Sequence, residues 1–299
     1  MKFALLTGAT SGRTHGCALN LFSGGAKMTA RAIRPPEFML MIVTLMASVG
    51  ALGCGGEKAT TEKAGEHGAE HAGAMLMVRT EPADVTAGNP IRLHLMLHGP
   101  DRVVMKNFEI VHEKKLHLII ASERLDQFSH IHPELDPAGN FTTTFAFPTA
   151  GKYRLYADYK PAGKEAGTAI AEILVAGTPV SAPTLVPNAP GRVAGDDLEA
   201  EIALGKAEMA GATRISFTLF DRAGKPLGDL EPYLGAMGHL VVLSADGKQY
   251  VHAHPIKGNS PANVVKFEAH FPRPGLYKGW GQFQRSGAVH VVPFVVVIR

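Results

Sequence analysis

Six histidines stand in two blocks with the same internal spacing, and imidazoles grouped in this way are typical metal ligands. Each block has one histidine followed, 13 residues later, by a His-X-His-Pro motif. Three neutral imidazoles suit a borderline divalent ion, zinc or copper, with the fourth position left for water, an external ligand or a nearby side chain. The sequence therefore predicts one metal site in each block. The predicted ligands are His117, His130 and His132 in the first block and His239, His252 and His254 in the second.

A β-hairpin brings the three histidines of a block onto one face. In the second block, Asp-Gly at 246–247 predicts a two-residue turn. That turn pairs His239 with His254, and because side chains alternate along a strand, the other histidine of the motif points to the same side. The first block allows the same pairing of His117 with His132. We therefore expect the same three-imidazole cluster twice.

Three further side chains are candidates for supporting roles. Met237, close to His239, is a candidate soft ligand for reduced copper, and Lys115 stands at the matching place in the first block. Asp158 and Gln282 occupy equivalent positions and can orient an imidazole through its second nitrogen. A structural interpretation stays open, because imidazoles in a half-buried sheet also bond to the backbone or to each other, and duplication alone explains a second copy.

The two blocks belong to a duplicated domain. Four short motifs recur in the same order, offset by 122 residues through the histidines and by 124 from the Phe-Pro motif onward. Each copy shows about seven short strands between Gly, Pro, Asn and Asp turn signals, and no long helical period. We predict strands from Met75–Glu81 to Val289–Val297. This pattern is typical of an all-β chain with two tandem immunoglobulin-like or cupredoxin-like β-sandwiches.

The segment before the first copy has the features of a secretory leader. Arg31 and Arg34 precede an apolar run over 38–53, which at 16 residues is short for a membrane span, and Cys54 follows directly. The run ends in a form that resembles the lipobox of bacterial lipoproteins, which implies cleavage before Cys54 and a lipid on its sulfur. An uncleaved membrane anchor is the alternative, and it also leaves the rest of the chain outside the cytoplasm.

The chain divides into five predicted segments. A small, polar, low-complexity stretch after the leader is typical of a flexible tether, and a Pro-rich stretch between the copies is typical of a stiff linker. The segments are a leader at 1–53, with Met28 and Met39 as alternative starts; lipidated Cys54 and the tether at 54–74; the first β-sandwich at 75–177; the linker at 178–196; and the second β-sandwich at 197–299.

Composition limits the classes of function. Without residues 1–53 the chain keeps 25 basic and 26 acidic residues, so it lacks the basic excess that nucleic-acid binding needs. It has no cysteine after Cys54, which excludes internal disulfides, thiolate zinc sites, a cysteine nucleophile and a Cys-ligated blue-copper centre in the folded copies. Neither Gly-X-Ser-X-Gly nor His-Glu-X-X-His occurs. We therefore expect ligand binding rather than an enzyme.

In its His-X-His-Pro motifs the chain resembles largely uncharacterised bacterial secreted lipoproteins, which are related in outline to YtkA-like and cupredoxin-like (immunoglobulin-like) domains. The resemblance covers about 76–299 and is carried by the stretches from His117 to Asp158 and from Leu230 to Phe283, with the His-X-His-Pro motifs as its most specific part. The resemblance implies β-sandwiches, an extracytoplasmic location, and copper or heavy-metal handling. Leu116 departs from the YtkA-like pattern, which has Met before the first histidine, so the first block lacks that thioether.

These features together predict a membrane-anchored lipoprotein in the periplasm or at the cell surface that binds copper or zinc for storage, delivery or resistance. The expected partners are the membrane, through the lipid on Cys54, and a membrane protein complex or metal-delivery partner; nucleic acid is not expected. The alternative is a non-metal interaction module, either an accessory subunit of a membrane complex or a surface adhesin. A third class, a His-ligated copper oxidase or reductase partner, needs redox activity and an open coordination position that the sequence does not show.

Overall fold

The computed structural model of the protein describes residues 73–178, 181, 184–207, 212–256, 258 and 260–299. Over these residues all regular elements are β-strands, so the predicted all-β class is confirmed. Within the same residues, no helix is long and apolar enough to span a membrane. The predicted leader, Cys54 and all of the predicted tether except its last two residues lie outside the described residues.

The first repeat is a sandwich of two antiparallel four-stranded sheets. The sheet orders are β1-β2-β6-β5 and β4-β3-β7-β8, and apolar side chains from both sheets fill the space between them. Its strands are β1 (Met75–Glu81), β2 (Pro90–His98), β3 (Leu116–Ser122), β4 (Phe128–Ile131), β5 (Glu134–Leu135), β6 (Asn140–Ala146), β7 (Gly151–Tyr159) and β8 (Gly167–Val175).

The second repeat is built in the same way. One sheet has the order β15-β11-β10-β9, and the other has the order β12-β16-β13-β14 with β17 paired to β16. Strand β9 lies inside the range predicted as linker, 178–196, so the pairing of the second sandwich begins before residue 197. The strands are β9 (Arg192–Ala194), β10 (Leu198–Ala207), β11 (Ala212–Asp221), β12 (Leu230–Glu231), β13 (His239–Ser244), β14 (Tyr250–Ala253), β15 (Val264–His270), β16 (Gly275–Arg285) and β17 (Ala288–Ile298).

The two histidine hairpins have the register that the sequence predicts. In β13–β14, Val241 pairs with His252, the register that the Asp-Gly turn requires. In β3–β4, Ile119 pairs with His130, which is the same register in the first repeat. Each hairpin therefore presents its histidines on one face, as expected.

The outward faces of the two histidine-bearing sheets pack against each other, and both repeats belong to one compact unit. Strand β3 is buried along its whole length because its own sandwich covers one face and the other repeat covers the second. Phe128 stacks on Trp280 with ring centroids 4.5 Å apart, and Tyr156 stacks on Tyr250 at 4.9 Å. The members of this shared core are Ile119, Ala121, Leu125 and Tyr156 from the first repeat and Val241, Leu243, Tyr250 and Trp280 from the second.

Candidate metal centre

All six predicted histidines lie beside the shared core. On β3, His117 is on the same face as Ile119, and on β13, His239 is on the same face as Val241, because alternate residues of a strand share a face. Strand β4 adds His130 and β14 adds His252 to that face, and the second histidine of each motif directly follows the strand. The histidines of the two repeats therefore face each other across the contact.

The first triad consists of His117, His130 and His132. One nitrogen from each ring lies within 4.8 Å of the others. His117 Nδ1 is 3.1 Å from His130 Nε2, and His132 Nε2 is 3.3 Å from that same atom. A tetrahedral site with metal–nitrogen bonds of about 2.0–2.1 Å places two ligand nitrogens about 3.3 Å apart. These two separations therefore fit imidazoles bound to one metal ion, and the third nitrogen pair lies within 4.8 Å.

The second triad consists of His239, His252 and His254, whose ligand atoms also lie within 4.8 Å of one another. His239 Nδ1 and His254 Nε2 are buried and have no hydrogen-bond partner in the part of the chain that the structure describes. A buried polar atom without a partner costs about 1–3 kcal/mol. These two nitrogens are thus suitably placed to bind an ion.

Backbone carbonyls fix the proton positions of the first histidine in each triad. His117 Nε2 donates to the carbonyl oxygen of Val111 at 2.9 Å, and His239 Nε2 donates to that of Tyr233 at 2.9 Å. A carbonyl oxygen only accepts a hydrogen bond, so each neutral imidazole keeps its lone pair on Nδ1. In both repeats the residue with the accepting carbonyl lies in a tight turn six positions before the histidine. The same hydrogen bond therefore leaves Nδ1 as the candidate ligand atom in each triad.

The two predicted orienting residues each contact a histidine of the opposite repeat. Asp158 Oδ2 accepts from His252 Nδ1 at 2.7 Å, and Gln282 Oε1 accepts from His130 Nδ1 at 2.8 Å. In the neutral form of each ring, the lone pair is thereby left on Nε2. Sequence equivalence identified this pair of residues, and the structure adds that each one acts across the contact between the repeats.

The two triads are neighbours rather than separate sites. The ring centroids of His130 and His252 are 5.3 Å apart, those of His117 and His252 are 5.7 Å apart, and those of His130 and His239 are 5.9 Å apart. The sequence predicts one site in each repeat, and the structure joins the two triads in one histidine cluster.

His112 is a member of the cluster that the sequence analysis did not single out. Its ring stacks on that of His254 at a centroid distance of 3.6 Å and lies 5.7 Å from that of His239. It sits in the turn that presents the Val111 carbonyl, at a backbone φ of 47°, a left-handed conformation in which histidine is one of the enriched residues. The repeat offset of 122 aligns His112 with Leu234, which lies in the turn before His239. The sequence therefore indicated that His112 lies in the equivalent turn before His117, close to the first triad.

Burial lowers the pKa values of five imidazoles of the cluster and so favours their uncharged form. It lowers the pKa of His132 to about 3 and that of His239 to about 4. It also lowers the pKa values of His117, His130 and His254, and in each of these rings repulsion from neighbouring imidazoles lowers the pKa further. At neutral pH these five histidines are therefore in the form that binds a metal ion.

A pocket connects the cluster with solvent. Histidines of both triads and His112 form part of its wall, and Lys114, Lys115 and Lys160 lie around it. Met237, the predicted soft ligand, is 39% exposed close to the buried His239. Its role as a ligand stays a prediction.

A family model described as a domain of unknown function (DUF8832) matches residues 71–175 and 192–299, one segment for each repeat. No curated protein matches the chain.

The chain is similar in structure to several β-rich proteins. Invasin, a bacterial integrin-binding protein, matches with 11% identity and a TM-score of 0.21 over 74% of this chain and 39% of its own. FdeC, an Escherichia coli adhesin, matches with 14% identity and a TM-score of 0.24 over 75% of this chain and 64% of its own. Carbohydrate-binding modules of the β-sandwich superfamily match with 8% identity and a TM-score of 0.21 over 77% and 100%. The chain thus spans less than two thirds of the first two proteins, and likenesses at these scores have no bearing on function.

Proposed function

Given that the chain belongs to the family described as a domain of unknown function (DUF8832), we propose that its histidine triads bind copper or zinc ions. The protein acts as a binding protein without turnover, and it serves metal storage, delivery or resistance. Neutral imidazoles are the ligand type that both ions accept.

One contact supports this proposal more than any other, the 3.1 Å separation of His117 Nδ1 and His130 Nε2. Hydrogen bonds to Val111 and Gln282 on the far sides of the rings leave a lone pair on each of these two nitrogens. Two lone pairs that face each other at this distance repel, and a cation between them turns the repulsion into attraction. The separation is also close to the spacing of about 3.3 Å in a tetrahedral site.

The location of the protein is part of the same proposal. Cleavage before Cys54 and lipid attachment to its sulfur would anchor the two sandwiches outside the cytoplasm, where loosely bound metal ions are met first. Metabolic labelling with a radioactive fatty acid tests the anchor, because a Cys54→Ser variant loses the label if this sulfur is the attachment site.

Metal content after purification tests the binding. The full chain, purified in detergent, is stripped with a chelator, exposed to Cu²⁺ or Zn²⁺, desalted and measured by elemental analysis. We expect a His130→Ala/His132→Ala variant and a His252→Ala/His254→Ala variant each to retain less metal than the wild type. Metal held elsewhere in the chain is common to all the variants and cancels in the differences.

A matched control removes two imidazoles outside the cluster. His270 and His290 lie near Glu268 and Asp197, and a His270→Ala/His290→Ala variant should retain as much metal as the wild type. Far-UV circular dichroism verifies that each variant is folded. If both triad variants fold and retain as much metal as the wild type, the proposal is wrong, and the histidines serve to join the repeats.

A further inference from the structure

We propose that the two triads form one centre for two metal ions and that the second triad fills first. This inference rests on the proposed metal binding and specifies the order in which the sites are filled. It follows from the contacts between the repeats, because each triad is completed by a side chain of the other.

The triads are too close to act as independent sites. Rings of different triads approach to centroid distances of 5.3–5.9 Å, and the shared core holds the two sheets face to face. Two ions bound in the two triads therefore lie close together and repel each other. The repulsion is strong because water screens charge poorly in the protein interior. The two ions should bind with different affinities, even if the triads were chemically identical.

The triads are not identical, because the orienting residues differ in charge. His252 donates to the carboxylate of Asp158, whereas His130 donates to the neutral amide of Gln282. A carboxylate that accepts from the far nitrogen of a ligand imidazole makes the near nitrogen more basic and offsets part of the charge of the ion. Asp158 also accepts from Tyr250 and Thr168, which fix the carboxylate in place. The second triad should therefore hold the first ion.

Titration with Cu²⁺ and detection by electron paramagnetic resonance tests the two-ion centre. The full chain, stripped of metal, is titrated from zero to three equivalents. We expect one Cu²⁺ signal up to the first equivalent. Toward the second equivalent the signal should broaden and lose intensity, because two unpaired spins this close couple magnetically. The His252→Ala/His254→Ala variant should bind one ion and give a signal without broadening.

Exchange of the orienting residues tests the order of filling. Asp158→Asn should weaken binding of the first ion about 10–100-fold, the usual effect of losing such a partner. Gln282→Glu should tighten binding at the first triad. The variant with both changes should bind its first ion in the first triad and show the spectrum of that site at one equivalent. A merely structural role for these residues cannot reverse the order.

A Tyr250→Phe variant is the matched control. It removes another hydrogen bond to the same carboxylate and leaves the Asp158–His252 contact in place, so the wild-type order of filling should persist.

The outcomes separate this inference from the proposed function. Two ions without magnetic coupling, a single ion shared by both triads, or an unchanged order of filling in the doubly exchanged variant would each overturn the inference while metal binding stands. If the wild type retains no Cu²⁺ that depends on the triads, the proposed function fails as well.

Discussion

At the scale of single residues, the hydrogen bond that one ring nitrogen of an imidazole donates leaves the lone pair on the other ring nitrogen. Val111 and Gln282 both accept hydrogen bonds, so His117 and His130 present lone pairs to each other. The sequence predicted the six histidines and the equivalent pair Asp158 and Gln282. It did not predict that these two residues would contact the opposite repeat, because an internal alignment shows which positions match and not which surfaces meet.

The stability of the metal-free protein should fall as the pH drops below 6.5. Well above that pH, the five triad histidines with lowered pKa values are neutral in both the folded and the unfolded state. Below it the histidines of the unfolded chain become protonated. In the folded chain they stay neutral until the pH approaches their lowered pKa values, about 4 for His239 and about 3 for His132. For His239 alone the loss is about 1.4 kcal/mol of unfolding free energy per pH unit. Urea unfolding with chelator at pH 8, 7, 6 and 5.5 measures the slope.

A His132→Gln variant provides the comparison for this experiment. It should show a shallower loss of stability with falling pH, since it lacks one of the imidazoles that stay neutral. An unfolding free energy that does not change between pH 7 and pH 5.5 would contradict the lowered pKa values.

His112 supports the second triad from the turn before β3, and its removal should affect that triad more than the first, because its ring stacks on that of His254 but lies 6.5 Å from that of His117. Asparagine tolerates the left-handed backbone at this position, so His112→Asn keeps the turn but loses the ring that stacks on His254. We expect a larger loss of metal affinity at the second triad than at the first, measured by titration with Cu²⁺. Glu113→Asn, in the same turn, is the control, and an equal effect of both variants would assign the loss to the turn instead of the ring.

At the scale of elements, the strands were predictable and their outward packing was not. The Asp-Gly turn was sufficient for the register of the second hairpin, and the equal spacing of the histidines extended that register to the first. The strands β5, β9 and β12 are two or three residues long, too short for a periodic signal. The apolar runs of β3 and β13 did hold a signal, because a strand apolar on both faces is typically covered on both.

Neighbouring residues on β3 should therefore have separable roles. Leu118 faces the core of its own sandwich, and Ile119 faces the shared core; both are fully buried. Each change to alanine should cost about 2–5 kcal/mol of stability. Only Ile119→Ala should also weaken metal binding at both triads, because it loosens the contact between the sheets that present them. Equal metal affinities in the two variants would argue against coupling between the shared core and the cluster.

At the scale of the whole molecule, the repeats contact each other as two subunits of a symmetric dimer do. Asp158 of the first repeat contacts His252 of the second, and Gln282, at the equivalent position of the second, contacts His130 of the first. Such reciprocal contacts are the mark of an isologous interface. Because both repeats belong to one chain, a substitution can change one repeat and leave the other unchanged. The Asp–Gln difference between positions 158 and 282 is an example. The duplication thus allows one centre with two unequal triads.

This arrangement predicts that both sandwiches unfold together. Trp280 is the only tryptophan in the chain and lies in the shared core, so its fluorescence reports on the contact, whereas far-UV circular dichroism reports on all strands. The two signals should give the same urea midpoint, because neither sandwich can open without exposing the core of the contact. Zn²⁺ at 100 times its dissociation constant should raise the stability by about 2.7 kcal/mol for each site filled and shift both signals equally. A fluorescence transition that precedes the loss of circular dichroism would mean that the repeats separate before they unfold, and the histidine cluster would then open at that first step.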